Sequence, residues 1–380
     1  MKTYLMSPGP TPIPERVLAA MSEPIIHHRA PLFSEILEEV RDGLKNLYQT
    51  KTEVIIHASS GTGAMEAAVA NTLSAGDEVI CVRGGKFGER WAEISEAYGV
   101  TPINIDVTWG QAVNPKTIAD ALDANKNVKA VMVQASETST GVGHPIKEIA
   151  DIVRKKDDTI LIVDAISALG VINLPVDDWG LDVVVSGSQK GLMLPPGLAF
   201  ASVSEKAWEF VKRSNLPKYY FNFAKEQKNL LKNQTAYTPA ISLIVGLKEA
   251  LNIINEIGLK KLFSRYEKMA DATRKAALGM GLSLFAPTSP SGSITAIQSP
   301  PDIDGQAVVK SLRETHGITI AGGQSQLKGK IFRIAHMGYV DRYDIIMTLA
   351  ALEMTLKGLG ATIELGSGVR VAQELLTDMD

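Results

Sequence analysis

Cys81 is the only thiol in 380 residues. An internal disulfide framework is therefore excluded, and a reducing compartment, the cytosol, is expected. Long apolar runs are missing as well. The opening stretch MKTYLMSPGPTPIPERV turns proline-rich within a few residues, so neither a secretory signal nor a membrane span is read there. No excess of one charge is present: 39 basic residues face 42 acidic ones, leaving a net charge of −3. That balance offers no footprint for nucleic acid, and no membrane partner is expected. His57, His144 and His316 lack metal-ligand spacing, so no metal site is expected. Two nucleotide signatures are incomplete. Gly61 and Gly63 match the first two glycines of a dinucleotide fingerprint, but Glu66 occupies the third position. The P-loop pattern fails because no Gly-Lys-Ser/Thr follows.

What the chain does have is alternation. Between about residues 53 and 204 lie seven apolar runs: TEVIIHAS, DEVICVRG, TPINIDV, VKAVMVQAS, TILIVDAIS, LDVVVSGS and LAFASVS. Helical patterns such as TGAMEAAVANTL, FGERWAEISEAYG and PIKEIADIVRKK separate several of them. Continuous rather than alternating Val/Ile-rich runs predict strands covered on both faces. The predicted architecture is α/β, a large domain built on a mainly parallel seven-stranded sheet. Beyond TPAISLIVGLKEALNIINEIG the helical pattern continues to about residue 280, after which the character changes to that of a smaller α+β domain. The expected organisation is an N-terminal segment over 1–20, a large domain over 21–265 and a small C-terminal domain over 266–380, with the last ten residues fraying.

Ligands of such sheets bind beyond the carboxyl ends of the strands, and three of those ends carry polar groups. After TEVIIHA, the stretch SSGTGAMEAA leads directly into a helix whose free N–H groups make an anion site, with Ser60 and Thr62 as hydroxyl donors. Simple N-capping is the plainer alternative. After TILIV comes Asp164, which either caps the next turn or does chemistry. After LDVVV comes SGSQKG with Lys190, which alone could be a structural ion-pair partner of Asp164. Pyridoxal 5′-phosphate needs all three features: an anion cradle, a carboxylate against the pyridine nitrogen and a lysine for the Schiff base. The spacing of 190 − 164 = 26 residues leaves room for one crossover between adjacent strands.

The motifs SPGPTPIPERVLAAM, SSGTGAMEAA, GGKFGERW, SETSTGV, VDAISALG, SGSQKGLMLPPGL, YTPAISLIVGLKEAL and FRIAHMG, in this order, resemble the class V aminotransferases among the fold-type I pyridoxal-phosphate enzymes. The likeness is strongest to the alanine–glyoxylate and serine–pyruvate aminotransferase group. It implies that Lys190 is the Schiff-base lysine and Asp164 the pyridinium partner. It also matches Ser60, Gly61, Thr62 and Gln189 to phosphate contacts. Ile166 would pack beneath the ring, Phe87 would stack on it where relatives often have tryptophan, and Thr138 would reach the ring hydroxyl. Arg333 would hold the substrate α-carboxylate, and Gly9 in the 1–20 segment would contribute to the substrate site. Family members are homodimers that share phosphate contacts, which makes Thr235 and Tyr237 candidates to reach a partner's cofactor. His28 and Arg29, in IIHHRAP, resemble a pair that reads a substrate phosphate, with an interface role for Arg29 as the alternative. His336 and Met337 would line the pocket or simply pack.

Competing readings keep this chemistry but change the reaction. Cysteine desulfurases need a mobile nucleophilic cysteine, whereas Cys81 lies inside DEVICVRG, and they commonly carry histidine where Gln189 stands. Pyridoxal-phosphate lyases stay open, because one electron sink serves several bond cleavages. A non-catalytic regulator would carry an added DNA-binding segment. The expected activity is transfer of an amino group from alanine or serine to glyoxylate or pyruvate. The alternative is an aspartate or phosphoserine donor read by Arg29.

Overall fold

A computed structural model describes residues 2–379. All seven apolar runs become strands of one sheet, in the spatial order Val54–Ser59, Gly197–Val203, Val183–Gly187, Ile160–Asp164, Val128–Gln134, Glu78–Arg83 and Thr101–Asp106. The five strands from Val183–Gly187 to Thr101–Asp106 run parallel. Gly197–Val203 is antiparallel to both of its neighbours. Its direction follows from the chain: residues 188–196 are too few for the dozen or more that a parallel crossover requires. Val183, Val184 and Val185 are fully buried in succession, as a strand covered on both faces must be.

Register then sets the site. Ser59 pairs with Gly197, Gly187 with Ala199, and Asp164 with both Gln134 and Val185. The ends of three core strands therefore open on one edge. The helix Gly61–Thr72, built of small residues and buried nearly all round, begins at that edge and packs on the sheet.

A second sheet of Ile294–Gln298, Ile331–Ala335 and Ala321–Gly322 carries Arg333 on its middle strand, opposite Ala296 and Ala321. The N-terminal segment belongs to both regions. Tyr4–Leu5 pairs in parallel with Ile318–Thr319, and Ala335 N donates to Met6 O at 2.9 Å. A few residues later Thr11 N donates to Gln189 O at 3.2 Å and Thr11 Oγ1 to Lys190 O at 2.9 Å. Residues 265 and 266, the expected boundary between the large and small domains, sit inside the helix Leu259–Gly279. A continuous helical ladder is one rigid element, so we propose that the division falls at Gly258, where the backbone turns at φ +81°. Among the described residues no helix is long and apolar enough to cross a membrane.

Of the last ten residues, expected to fray, 371–376 belong to the helix Ser367–Leu376, while Asp380 lies outside the described residues. Both ends of this helix are tied. The buried Glu353 carboxylate accepts from Gly366 N, Gly368 N and Val369 N at 2.6, 2.7 and 3.1 Å. Arg342 Nη1 donates to the carbonyls of Leu376, Thr377 and Met379. Glu353→Ala should cost about 1.5–3 kcal/mol, the range for hydrogen bonds to a charged group. Hydrogen exchange should quicken at residues 366–376 before the rest of the chain. Exchange unchanged there would show that packing alone holds the helix.

Candidate active site

At the Ser59 end of its strand the chain enters the helix Gly61–Thr72. The N-cap Ser60 makes no side-chain capping bond, so the plain N-capping reading does not hold. The first turn closes from Gly63 N to Ser60 O, which leaves the N–H groups of Gly61 and Thr62 at the helix mouth. Gly61 permits a close approach: a Cβ there would stand 2.5 Å from Ile166 Cδ1. Gln189 faces the same mouth with Oε1 buried and unpartnered. Rotation of that amide presents N–H to an anion instead.

Asp164 and Lys190 line this cleft together. Asp164 Oδ1 accepts from Ile166 N at 2.8 Å. Burial drives its carboxyl up to about 7, and Glu137 acts in the same direction; the Ile166 N–H, Arg90 and Lys190 pull it down. Burial lowers the Lys190 ammonium to about 8, with Asp164 opposing. Lys190 Nζ donates to Pro8 O, so the amine is not tied up in a structural ion pair with Asp164. Gly9 lies against it at φ +129°, and a Cβ at that position would sit 2.2 Å from Nζ. Only glycine suits both that backbone and that gap.

Phe87 and Thr138 line the cleft wall. Between them the fully buried Glu137 carboxylate accepts from Phe87 N, Gly88 N, Ser139 N and Ser139 Oγ, fixing the start of the helix Lys86–Ala97. Thr138 O in turn accepts from Arg333 Nη1 at 2.5 Å, and Gly322 O accepts from Arg333 Nε and Nη2 at 3.0 and 2.6 Å. Three of the five guanidinium N–H groups are thereby used, leaving one on each Nη. Arg333 is 4% exposed, no carboxylate among the described residues bonds to it, and burial lowers it to about 10, still a cation at neutral pH.

The cleft is small, with a volume of about 110 Å³. Its donors suit pyridoxal phosphate. A neutral helix mouth with an orphaned amide fits the phosphate, an under-paired buried carboxyl fits the ring nitrogen, and a deprotonatable lysine fits the aldehyde. The sequence reasoning missed Arg90, Ser136 and Ser167, which also line the cleft. The spacing of Arg90 three residues after Phe87 on one helix was the available signal.

Other expected residues lie elsewhere. Thr235 and Tyr237 line a separate hollow beside Ile56, His57 and Glu226. Thr235 Oγ1 donates to Tyr237 O, and Tyr237 Oη donates to Tyr219 O while accepting from Lys225 Nζ. His28 stacks obliquely on His27, and Arg29 Nη1 donates to Gln234 Oε1. This chain's own cleft therefore contains neither pair. His336 is buried against Thr295 Oγ1 and pushed down to about 3, so it packs as a neutral ring, and Met337 is buried too. Cys81 is buried in its strand with its thiol pushed up to about 12, as suits an inert core cysteine.

Comparisons with known proteins identify the family. The family model described as Aminotransferase class-V matches residues 3–343. The chain is 45% identical over 99% of both chains to the "Soluble hydrogenase, small subunit" of Synechococcus sp. (strain PCC 6716). It is 36% identical to the L-aspartate–glyoxylate aminotransferase of Paracoccus denitrificans, covering 97% of this chain and 94% of that one. It is 37% identical to the serine–glyoxylate aminotransferase of Hyphomicrobium methylovorum, covering 98% and 94%. The solved ureidoglycine–glyoxylate aminotransferase of Bacillus subtilis superposes with a TM-score of 0.95 at 30% identity, covering 100% and 99%.

Asp164 generates a prediction with a definite sign. Its folded-state value lies above its ordinary 3.8, so on raising the pH the unfolded chain releases this proton first. Stability of the cofactor-free fold is therefore lost between about pH 4 and pH 7. Asp164→Asn should make the cofactor-free protein melt higher than the parent above pH 7, with no difference near pH 4. With cofactor bound its turnover should fall at least about a hundredfold. A variant that melts lower at pH 8 and keeps its rate would make Asp164 a structural carboxylate.

Proposed function

Since this chain belongs to the class V aminotransferases and is a pyridoxal-phosphate-dependent transaminase, we propose that it moves the amino group of alanine or serine to glyoxylate or pyruvate, with Lys190 as the covalent anchor of the cofactor. The observation that carries the proposal is Arg333: a buried guanidinium bonded only to backbone carbonyls, with one N–H free on each Nη. That fork suits the α-carboxylate shared by every donor and acceptor. When bound, the cofactor supplies an electron sink in conjugation with the donor Cα. Lys190 Nζ would take the Cα proton of the donor, and burial keeps it near the pKa a proton carrier needs. Asp164 would hold a proton on the ring nitrogen. Ser60, Gly61, Thr62 and Gln189 would hold the phosphate, Ile166 and Phe87 would flank the ring, and Thr138 would meet its hydroxyl. Gly9 leaves room for the donor beside Lys190.

The donor is taken as small and neutral because Arg29, the candidate reader of a second anion, bonds to Gln234 away from this cleft. Glyoxylate is favoured as acceptor by the names of the Paracoccus, Hyphomicrobium and Bacillus proteins. We place the enzyme in the cytosol as a homodimer in which Thr235 and Tyr237 reach the partner's phosphate and Arg29 is an interface residue. One hydrogen bond, Arg29 to Gln234, already joins the two segments. The hydrogenase name belongs to the Synechococcus relative. Here the lone buried thiol cannot furnish the several thiolates of an iron–sulfur cluster. An aspartate donor is the second reading, supported by the Paracoccus relative and by the exposure of Arg29.

Borohydride treatment of the yellow holoenzyme should fix the cofactor on the peptide bearing Lys190, and labelling of another lysine would remove the basis of the mechanism. A donor panel against glyoxylate, pyruvate and 2-oxoglutarate should rank alanine or serine first, and Arg29→Ala should leave that ranking intact. Selective loss of aspartate or phosphoserine turnover in Arg29→Ala, by about 2–5 kcal/mol as for a stripped charge pair, would establish the second reading.

A further inference from the structure

We propose that Arg90 is the cation of the phosphate cradle and sets the direction of the Thr62 hydroxyl proton. The inference rests on reading the Gly61–Thr72 helix mouth as the phosphate end of the cleft. Every other chain group assigned there is neutral: Ser60, Gly61, Thr62 and Gln189. A helix N-terminus contributes about half a positive charge, well short of a phosphate that carries close to two negative charges. Arg90 lines the same cleft. Among the described residues no carboxylate pairs with it; the neighbouring Glu89 is taken by Lys86.

Hydroxyl geometry adds a second argument. Arg90 Nη1 donates to Thr62 Oγ1 at 3.0 Å. Arginine can only donate, so Thr62 must accept there, and its single proton points elsewhere. Thr62 is the second residue of its helix, so no helical carbonyl four residues back can take that proton. The cradle is where the proton has an acceptor. Arg90 is itself held in place, with its guanidinium carbon 5.0 Å from the centroid of the Phe87 ring one turn earlier on the helix. One side chain thus braces the wall on which the pyridine ring lies and primes the hydroxyl that meets the phosphate. Arg90 is a positioning residue for the cofactor, and its charge acts on the phosphate.

The test is equilibrium binding of pyridoxal 5′-phosphate and of pyridoxal, which lacks the phosphate, to wild type, Arg90→Met, Arg90→Lys and Thr62→Val, read from the absorbance of the bound cofactor. Arg90→Met should weaken binding of the phosphorylated form by about tenfold to a hundredfold, as for loss of a charged hydrogen-bond partner. Binding of pyridoxal should change by less than about threefold on the same scale. Arg90→Lys, which keeps the charge, should recover some of the loss. Adding Thr62→Val to Arg90→Met should cost little more. Equal weakening of both ligands, or none, would overturn the proposal, as would a lysine variant no better than methionine. If wild type itself does not distinguish the two ligands, the phosphate-cradle reading fails instead. Should Arg90→Met not fold, the Lys and Val variants carry the same comparison.

Discussion

Withdrawal of charge from water at the carboxyl edge of the sheet is the constraint on which the site depends. Asp164 and Lys190 end or follow adjacent buried strands, and each is displaced toward neutrality mainly by burial. A direct bond between them would satisfy both and leave little reason to bind anything. Lys190 instead donates to Pro8 O, and Asp164 receives one backbone N–H. The fold thus maintains two costly groups in an under-paired condition, which a ligand with an aldehyde and a basic ring nitrogen relieves.

That condition requires a rigid frame. Glu137 anchors the helix of Phe87 and Arg90 to one strand end, and the carbonyl of the next residue, Thr138, accepts from Arg333 on the second sheet. A path of hydrogen bonds and one peptide link therefore runs from the Phe87 wall of the cleft to the Arg333 guanidinium. Arg333 is oriented entirely by main-chain oxygens, which leaves its charge available to a substrate anion.

The sheet was legible because each of its strands is a continuous apolar run, and the residue following such a run is placed by topology. That rule singles out Asp164, Lys190 and the Ser60–Thr62 turn, which line one cleft. Arg90 escapes the rule because it follows no strand; it reaches the cleft from a helix face, one turn past a residue that was already singled out. The expected boundary at 265/266 falls within the helix Leu259–Gly279, which has no internal breaker to mark its course. The C-terminal helix was misjudged because its anchors, Glu353 and Arg342, are distant in sequence and carry no local signature. Thr235, Tyr237, His28 and Arg29 do not line the cleft of Lys190.

The pairing of Tyr4–Leu5 with Ile318–Thr319 has a consequence for the order of events at the ribosome. The first strand made must wait for one of the last. At about 5–20 residues per second, the stretch between Tyr4 and Ile318 takes roughly 15–60 s to synthesise. Throughout that time the segment carrying Pro8, Gly9 and Thr11 lacks its docking strand. Its remaining anchors, the bonds from Thr11 to the Gln189 and Lys190 carbonyls and from Lys190 to Pro8, lie at the edge of the large sheet and emerge well before Ile318.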